Sequence, residues 1–205
     1  MFGSWGVKGK VLALCMSFSA AIFVVGGVGY YALHKVDDDF TWVAEVTMEN
    51  FEDVQSMYLA YRRIRGELNL ISIDGVPEEK VQASLKNIET SIATYEKSEA
   101  AYFGRPFSPG EEELAKKVQA GWDEYVVLVN KAVTSFKEGT PESRLKTKNI
   151  VIGELYDNTH GYNADIAKLV EFQIEDKKTR VAAARALSKW ADQVTIFSVF
   201  LGVIA

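Results

Sequence analysis

Arg62, Arg63 and Arg65 stand within the segment Tyr61-Arg62-Arg63-Ile64-Arg65-Gly66-Glu67-Leu68 and form a dense cationic cluster. A guanidinium presents a planar fork of N–H donors that meets a carboxylate through two parallel hydrogen bonds, so such a cluster is suited to holding an anion. The same charges also suit a solvated helix face, on which Glu67 is spaced to pair with Arg63 at i,i+4. Other chemistries lack their residues. His34 and His160 are the only histidines and lie far apart in the chain, which leaves no His-rich metal site. Asp37, Asp38 and Asp39 could attract a divalent ion, but the ordinary reading of such a run is a hydrated helix segment. No nucleophile–base motif, phosphate loop or zinc spacing occurs. The chain is therefore read as a non-enzyme with no catalytic residue, metal or cofactor. Its net charge of −5 carries no basic signature for nucleic acid. The single Cys15 excludes a disulfide within the chain.

The elements that position the arginines begin with an uncharged run from Val11 to Leu33. A bilayer core of ~30 Å needs ~20 apolar residues at ~1.5 Å rise each, so this run is long enough to span. Lys8 and Lys10 precede it and Asp37 to Asp39 follow it, which places residues 1–10 in the cytoplasm and the middle region outside. Trp5, Tyr30 and Tyr31 sit where interfacial aromatics are expected. A cleaved signal peptide would have a shorter apolar core and small residues at its end, and here the end reads Gly-Tyr-Tyr-Ala-Leu-His. A second apolar run, residues 194–205, follows Trp190 and is too short to span by itself. It is expected to be the start of a second membrane helix, with an output module beyond it.

Between these runs, residues 34–193 carry the pattern of four amphipathic helices. Positions 36, 40, 43, 47, 50, 54, 57, 61, 64, 68 and 71 follow a strict 4-3 spacing and are apolar or aromatic except at Thr47 and Asn50. This seam predicts a first soluble helix running without a break out of the membrane helix and ending near Asp74-Gly75-Val76-Pro77. A second helix follows Pro77 with a seam of Val81, Leu85, Ile88, Ile92, Tyr95 and Tyr102, and with Glu99 as its one mismatch. Residues 104–110 hold two prolines and two glycines and must be a loop. Glu111, Glu112 and Glu113 open a third helix at the positive end of its dipole. Its stripe is Leu114, Val118, Trp122, Tyr125, Val129, Ala132 and Phe136. Thr140 is the expected N-cap of the fourth helix, with Pro141 at its first position. That helix carries Ile152, Leu155, Thr159, Tyr162, Ile166, Leu169 and Gln173 on one stripe and continues into the second apolar run. Its lower cations, Lys177, Lys178, Arg180, Arg185 and Lys189, suit a solvated stalk. The fold class is all-α, an antiparallel up-down-up-down four-helix bundle whose helices one and four are continuous with membrane helices. A two-helix stalk exposes its own seam, which favours pairing with a second copy.

The arginines have a partner face in this arrangement. Arg63 lies 30 residues beyond Leu33, about 45 Å along a helix at ~1.5 Å per residue. Counting the same 30 residues back from Gln193 reaches Asn163. Antiparallel packing thus sets Asn158, Thr159, His160, Tyr162 and Asn163 near Arg62, Arg63 and Arg65, with side chains able to hydrogen-bond a polar ligand.

The chain resembles the N-terminal sensory half of methyl-accepting chemotaxis proteins, the bacterial chemoreceptors. The likeness lies in Val7-Lys8-Gly9-Lys10 before the first span, in Val24-Val25-Gly26-Gly27-Val28-Gly29 within it, in the exit Tyr31-Ala32-Leu33-His34-Lys35-Val36-Asp37, and in the arginine-centred segment. The resemblance implies a homodimeric receptor in the bacterial inner membrane with a periplasmic or extracellular bundle. It implies an amino acid or other small carboxylate held by helix-one arginines against helix four at the dimer interface. It also implies a cytoplasmic part, absent here, with a linker domain, methylation sites and a tip that controls a kinase complex. Sensor histidine kinases and some cyclic-nucleotide signalling enzymes carry similar bundles. A membrane-anchored bundle with a purely structural role is the reading of a different class.

Overall fold

Few residues in this chain interrupt a helix, and the computed structural model, which describes residues 6–204, is helical almost throughout. Helix α1 (Val7–Trp42) passes through a π-helical turn (Val43–Thr47) into α2 (Met48–Ile71). Helices α3 (Glu78–Phe103) and α4 (Glu111–Lys137) follow. The fourth rod is α5 (Pro141–Asn149), a second π-helical turn (Ile150–Glu154) and α6 (Leu155–Ile204). No strand occurs among the described residues. This is the expected antiparallel four-helix bundle, and its first and last rods run on into the apolar segments. Trp5 lies outside the described residues, as do the side chains from residue 197 onward in the second apolar run.

The boundaries follow local chemistry. Pro77 stands at the N-cap of α3, with Glu78 and Glu79 in the first turn. Gly110 and Gly139 take φ of 88° and 73°, left-handed values that a side chain would resist, and so close the loops before α4 and α5. Thr140 caps α5 as expected. Its hydroxyl accepts from the Ser143 N–H at 3.0 Å, and the Ser143 hydroxyl accepts from the Thr140 N–H at 3.1 Å.

Two compact units result, Val46–Asp176 and the described residues up to Glu45 together with those from Lys177. In the first, the seam of α2 is buried at every expected position from Thr47 to Ile71. Val81, Leu85, Ile88, Tyr95 and Tyr102 of α3 are buried too, alongside Ser84, Ser91 and Ser98, whose small side chains let a neighbouring helix approach. Helix α4 buries Val118, Trp122, Tyr125, Val129, Ala132 and Phe136, with Ala115 rather than Leu114 at the start of the stripe. Helix α6 buries Leu155, Thr159, Tyr162, Ile166, Leu169 and Gln173.

Two seam positions need correction. Phe40 is 70% exposed and Ile152 is 62% exposed. Each lies in or beside a π-helical turn, where the hydrogen bonds close over one extra residue and the buried stripe moves along by one. Ala32 is buried and Val36 and Asp39 half-buried, so the lower stripe passes through 39 rather than 40. In the fourth rod Ile150 and Val151 take the interior in place of Ile152.

In the other unit, the helix that begins at Val7 contains a stretch long and apolar enough to cross a membrane, and none of that stretch is buried within the protein. Leu12, Met16, Ile22 and Phe23 are exposed along it. Within this unit the Arg180 guanidinium lies 5.0 Å from the centre of the Trp42 ring, a cation–π contact.

Candidate functional site

Halfway up the bundle, four tyrosines and a tryptophan form one aromatic layer contributed by all four rods. Tyr61 of α2 meets Tyr162 of α6 at 4.7 Å and Tyr125 of α4 at 5.1 Å between ring centres. Tyr95 of α3 stacks on Trp122 of α4 at 3.5 Å. The Tyr162 hydroxyl donates to that of Tyr95 at 2.9 Å, tying α6 to α3 through the core. Burial pushes the phenols of Tyr95, Tyr125 and Tyr162 well above the ordinary value, so all three stay neutral. Gly121 makes room for this layer, since a Cβ there would stand 2.9 Å from Tyr162 Cδ2.

Beside the layer a groove of about 390 Å³ opens between α2 and the fourth rod. Leu68, Val151 and Leu155 form its apolar floor, and Arg65, Asn69, Tyr156 and Thr159 supply polar groups. Ile152 lines it as well, because the π-helical turn rotates that side chain out of the core. The Tyr61 hydroxyl is enclosed one turn from Arg65, with the Arg65 guanidinium and the Thr159 hydroxyl as its polar neighbours. Burial raises the Tyr61 phenol and the nearby Arg65 charge opposes that rise. An apolar trough with one guanidinium, an amide and a phenol at its edge can hold a small molecule bearing a carboxylate and an apolar body.

Of the residues singled out by sequence, Arg65 and Thr159 share this groove. Thr159 is buried, and its hydroxyl donates to the Tyr156 carbonyl at 2.7 Å. Arg62 is exposed and turns to Tyr58, donating to its hydroxyl at 3.2 Å. Arg63 is exposed and does not line the groove, and Glu67, spaced to pair with it, instead accepts from Asn87 of α3 at 2.8 Å. His160 is exposed and packs edge-on against Tyr156 at 4.6 Å. Asn163 is exposed outside the lining, and Tyr162 belongs to the core layer. Asn69 and Tyr156 were not singled out. Tyr156 is placed by the π-helical turn before it, which leaves no mark in the hydrophobic pattern.

At the other end of the bundle a polar network holds the α3–α4 loop. Arg105 reaches Asp53 at 2.5 Å and Glu49 at 2.9 Å, both on α2. Glu111, almost wholly buried, accepts from the Tyr102 hydroxyl at 2.6 Å, from the Ser108 N–H at 2.7 Å and from the Gln173 amide. The Ser108 hydroxyl donates to Asp176 of α6 at 3.0 Å. These bonds account for Gln173 and Asn50, two of the polar residues on otherwise apolar stripes, since Gln173 donates to Glu111 and Asn50 accepts from Arg105 at 3.4 Å.

Four rods, an aromatic layer shared by all of them and a groove between the first and last make a helical-bundle scaffold, with no catalytic constellation among its described residues. The profile of the four-helix-bundle sensory module for signal transduction matches residues 4–187. The chain belongs to this family, the four-helix sensory modules of chemoreceptors, whose role is signalling rather than catalysis. No curated protein matches it.

Proposed function

We propose that this chain is the sensor of a transmembrane chemoreceptor that detects a small extracytoplasmic carboxylate, such as an amino acid, in the α2–α6 groove. The observation that carries the reading is the groove itself. Its guanidinium and apolar floor lie on the two rods that continue into the apolar segments. A ligand whose carboxylate bonds Arg65 and whose body rests on Leu68 and Leu155 would favour one setting of α6 against α2 over another. Only such differential affinity can drive a signal, and a continuous helix can carry it as a slide or rotation.

The exposed apolar side chains of α1 face lipid in this reading, with the N-terminus in the cytoplasm and the bundle in the periplasm of an inner-membrane protein. A second copy covers Leu59 of α2, Ile73 in the turn after it, and Leu145 and Ile152 of the fourth rod, which are all exposed in the single chain. A cytoplasmic module beyond these residues would pass the displacement to a kinase complex.

Calorimetry on the chain in lipid nanodiscs, with a panel of amino acids and small carboxylates, tests the reading. A charge-assisted hydrogen bond contributes ~1.5–3 kcal/mol, so Arg65→Ala should weaken binding by roughly 10- to 100-fold. Arg63→Ala should change it much less. If no compound in the panel binds, or if affinity is unmoved by Arg65→Ala, the proposed site is wrong.

A further inference from the structure

Glu99 occupies the α3 seam between Tyr95 and Tyr102, both fully buried. Its position four residues after the first and three before the second turns a carboxyl toward the bundle interior. The Oε1 atom is enclosed and no hydrogen bond reaches it. Glu111 makes the contrast, since its buried carboxylate accepts from three donors. The charges that act on Glu99 are Asp123 of α4 and Glu96 of its own helix, both of the same sign. Among the described residues α2 contributes no charge to it. From α6 the facing titratable group is Tyr162, and on α3 it is Tyr95, both neutral phenols bonded to each other.

We propose that Glu99 makes the bundle proton-responsive. Protonated, it is neutral and lets α3 and α4 close on each other opposite Asp123. Ionised, the half-buried side chain places a negative charge, with one enclosed and unbonded oxygen, beside a second one and loosens the two helices at that level. The Tyr95–Tyr162 hydrogen bond lies one turn away and ties α3 to α6, so the loosened level is the one where helix four is held. This response is separate from the groove and needs no bound ligand.

The energetics agree with the geometry. Burial, then Asp123 and Glu96, raise the Glu99 carboxyl from 4.5 to about 7. A folded carboxyl that keeps its proton to higher pH than the unfolded chain stabilises the fold fully below the ordinary carboxyl value. That stabilisation is lost as pH rises through about 7.

Thermal unfolding of the chain in lipid nanodiscs, followed by circular dichroism from pH 5 to 8.5, tests the proposal. The comparison between wild type and variants is the readout. The melting temperature of the wild type should fall by roughly 3–5 °C more than that of Glu99→Gln between pH 6 and 8. Glu99→Gln, neutral at every pH, should also be the more stable protein at pH 8. Asp123→Asn removes the repulsion across α4 and should move the wild-type fall to lower pH. Parallel profiles for wild type and Glu99→Gln would overturn the proposal. If Glu99→Gln does not fold, Asp123→Asn decides alone, and an unmoved midpoint overturns it.

Discussion

Replacing Gly121 by alanine sets two opposing effects against each other, and the geometry says which wins. In an ordinary helix interior the change stabilises by about 0.8–1 kcal/mol, because glycine loses more backbone freedom on folding. At this position the new Cβ would stand 2.9 Å from Tyr162 Cδ2 and 3.7 Å from its Cβ. Tyr162 has little room to give. Its hydroxyl is bonded to Tyr95 at 2.9 Å, and its ring packs 4.7 Å from Tyr61. Overpacking of this kind costs ~1–3 kcal/mol. Displacing the ring also strains a buried hydrogen bond worth ~0.5–1.5 kcal/mol. The net expectation is a loss of about 1–3 kcal/mol, or roughly 3–10 °C in melting temperature for a bundle of this size. Gly66→Ala is the control, since a Cβ there meets nothing within 4 Å. It should stabilise by ~0.5–1 kcal/mol. Both variants can be melted side by side in nanodiscs by circular dichroism. A double variant with Tyr162→Ala isolates the contact, because Gly121→Ala should cost nothing once the ring is gone. If Gly121→Ala stabilises as much as Gly66→Ala, the aromatic layer is not packed as described.

Two further substitutions probe the ends of the rods. Thr140→Ala removes the acceptor for the Ser143 N–H and should cost ~1 kcal/mol in a denaturant titration, whereas Thr140→Ser should be nearly silent. Glu111→Ala leaves the Tyr102 hydroxyl, the Ser108 N–H and the Gln173 amide without their common acceptor. A loss of ~2–4 kcal/mol is expected, with amide exchange rising first at Ser108 in the α3–α4 loop.

The pattern of residues was most legible where one helix settles the matter by itself. The stripe from Thr47 to Ile71 is buried as the 4-3 spacing requires. The Thr140–Pro141 start and the Gly104–Gly110 loop stand where the local chemistry places them. The mismatches were legible as well, although their meanings were not. Gln173 stood as a polar residue at the end of the helix-four stripe, and it proves to be a donor to a buried carboxylate. Glu99 looked like a break in a seam, and it proves half-buried, with one carboxyl oxygen enclosed and no hydrogen bond to it.

The groove shows the limit from the other side. The arginine segment and the 158–163 region are both visible in the sequence, and a ruler of helical rise brings them to the same height. Nothing in that ruler says that Arg65 alone of the three arginines lines the groove, that Tyr162 turns to the core, or that Ile152 turns out of it. Those outcomes depend on helix rotation, and one extra residue in a π-helical turn alters rotation by about 100° at 3.6 residues per turn.

The sequence by itself determined an all-helical chain of four amphipathic rods, their boundaries, and a first rod running out of an apolar N-terminal segment. Periodicity, glycine, proline and capping residues act within a few positions of themselves, so they can be read in order along the chain. Only the tertiary structure decided which groups meet, namely the aromatic layer closed around Gly121, the Arg65 groove, and the buried Glu111 and half-buried Glu99 carboxyls with their opposite surroundings. Each of these depends on side chains from rods far apart in sequence, whose rotation and height no single rod contains.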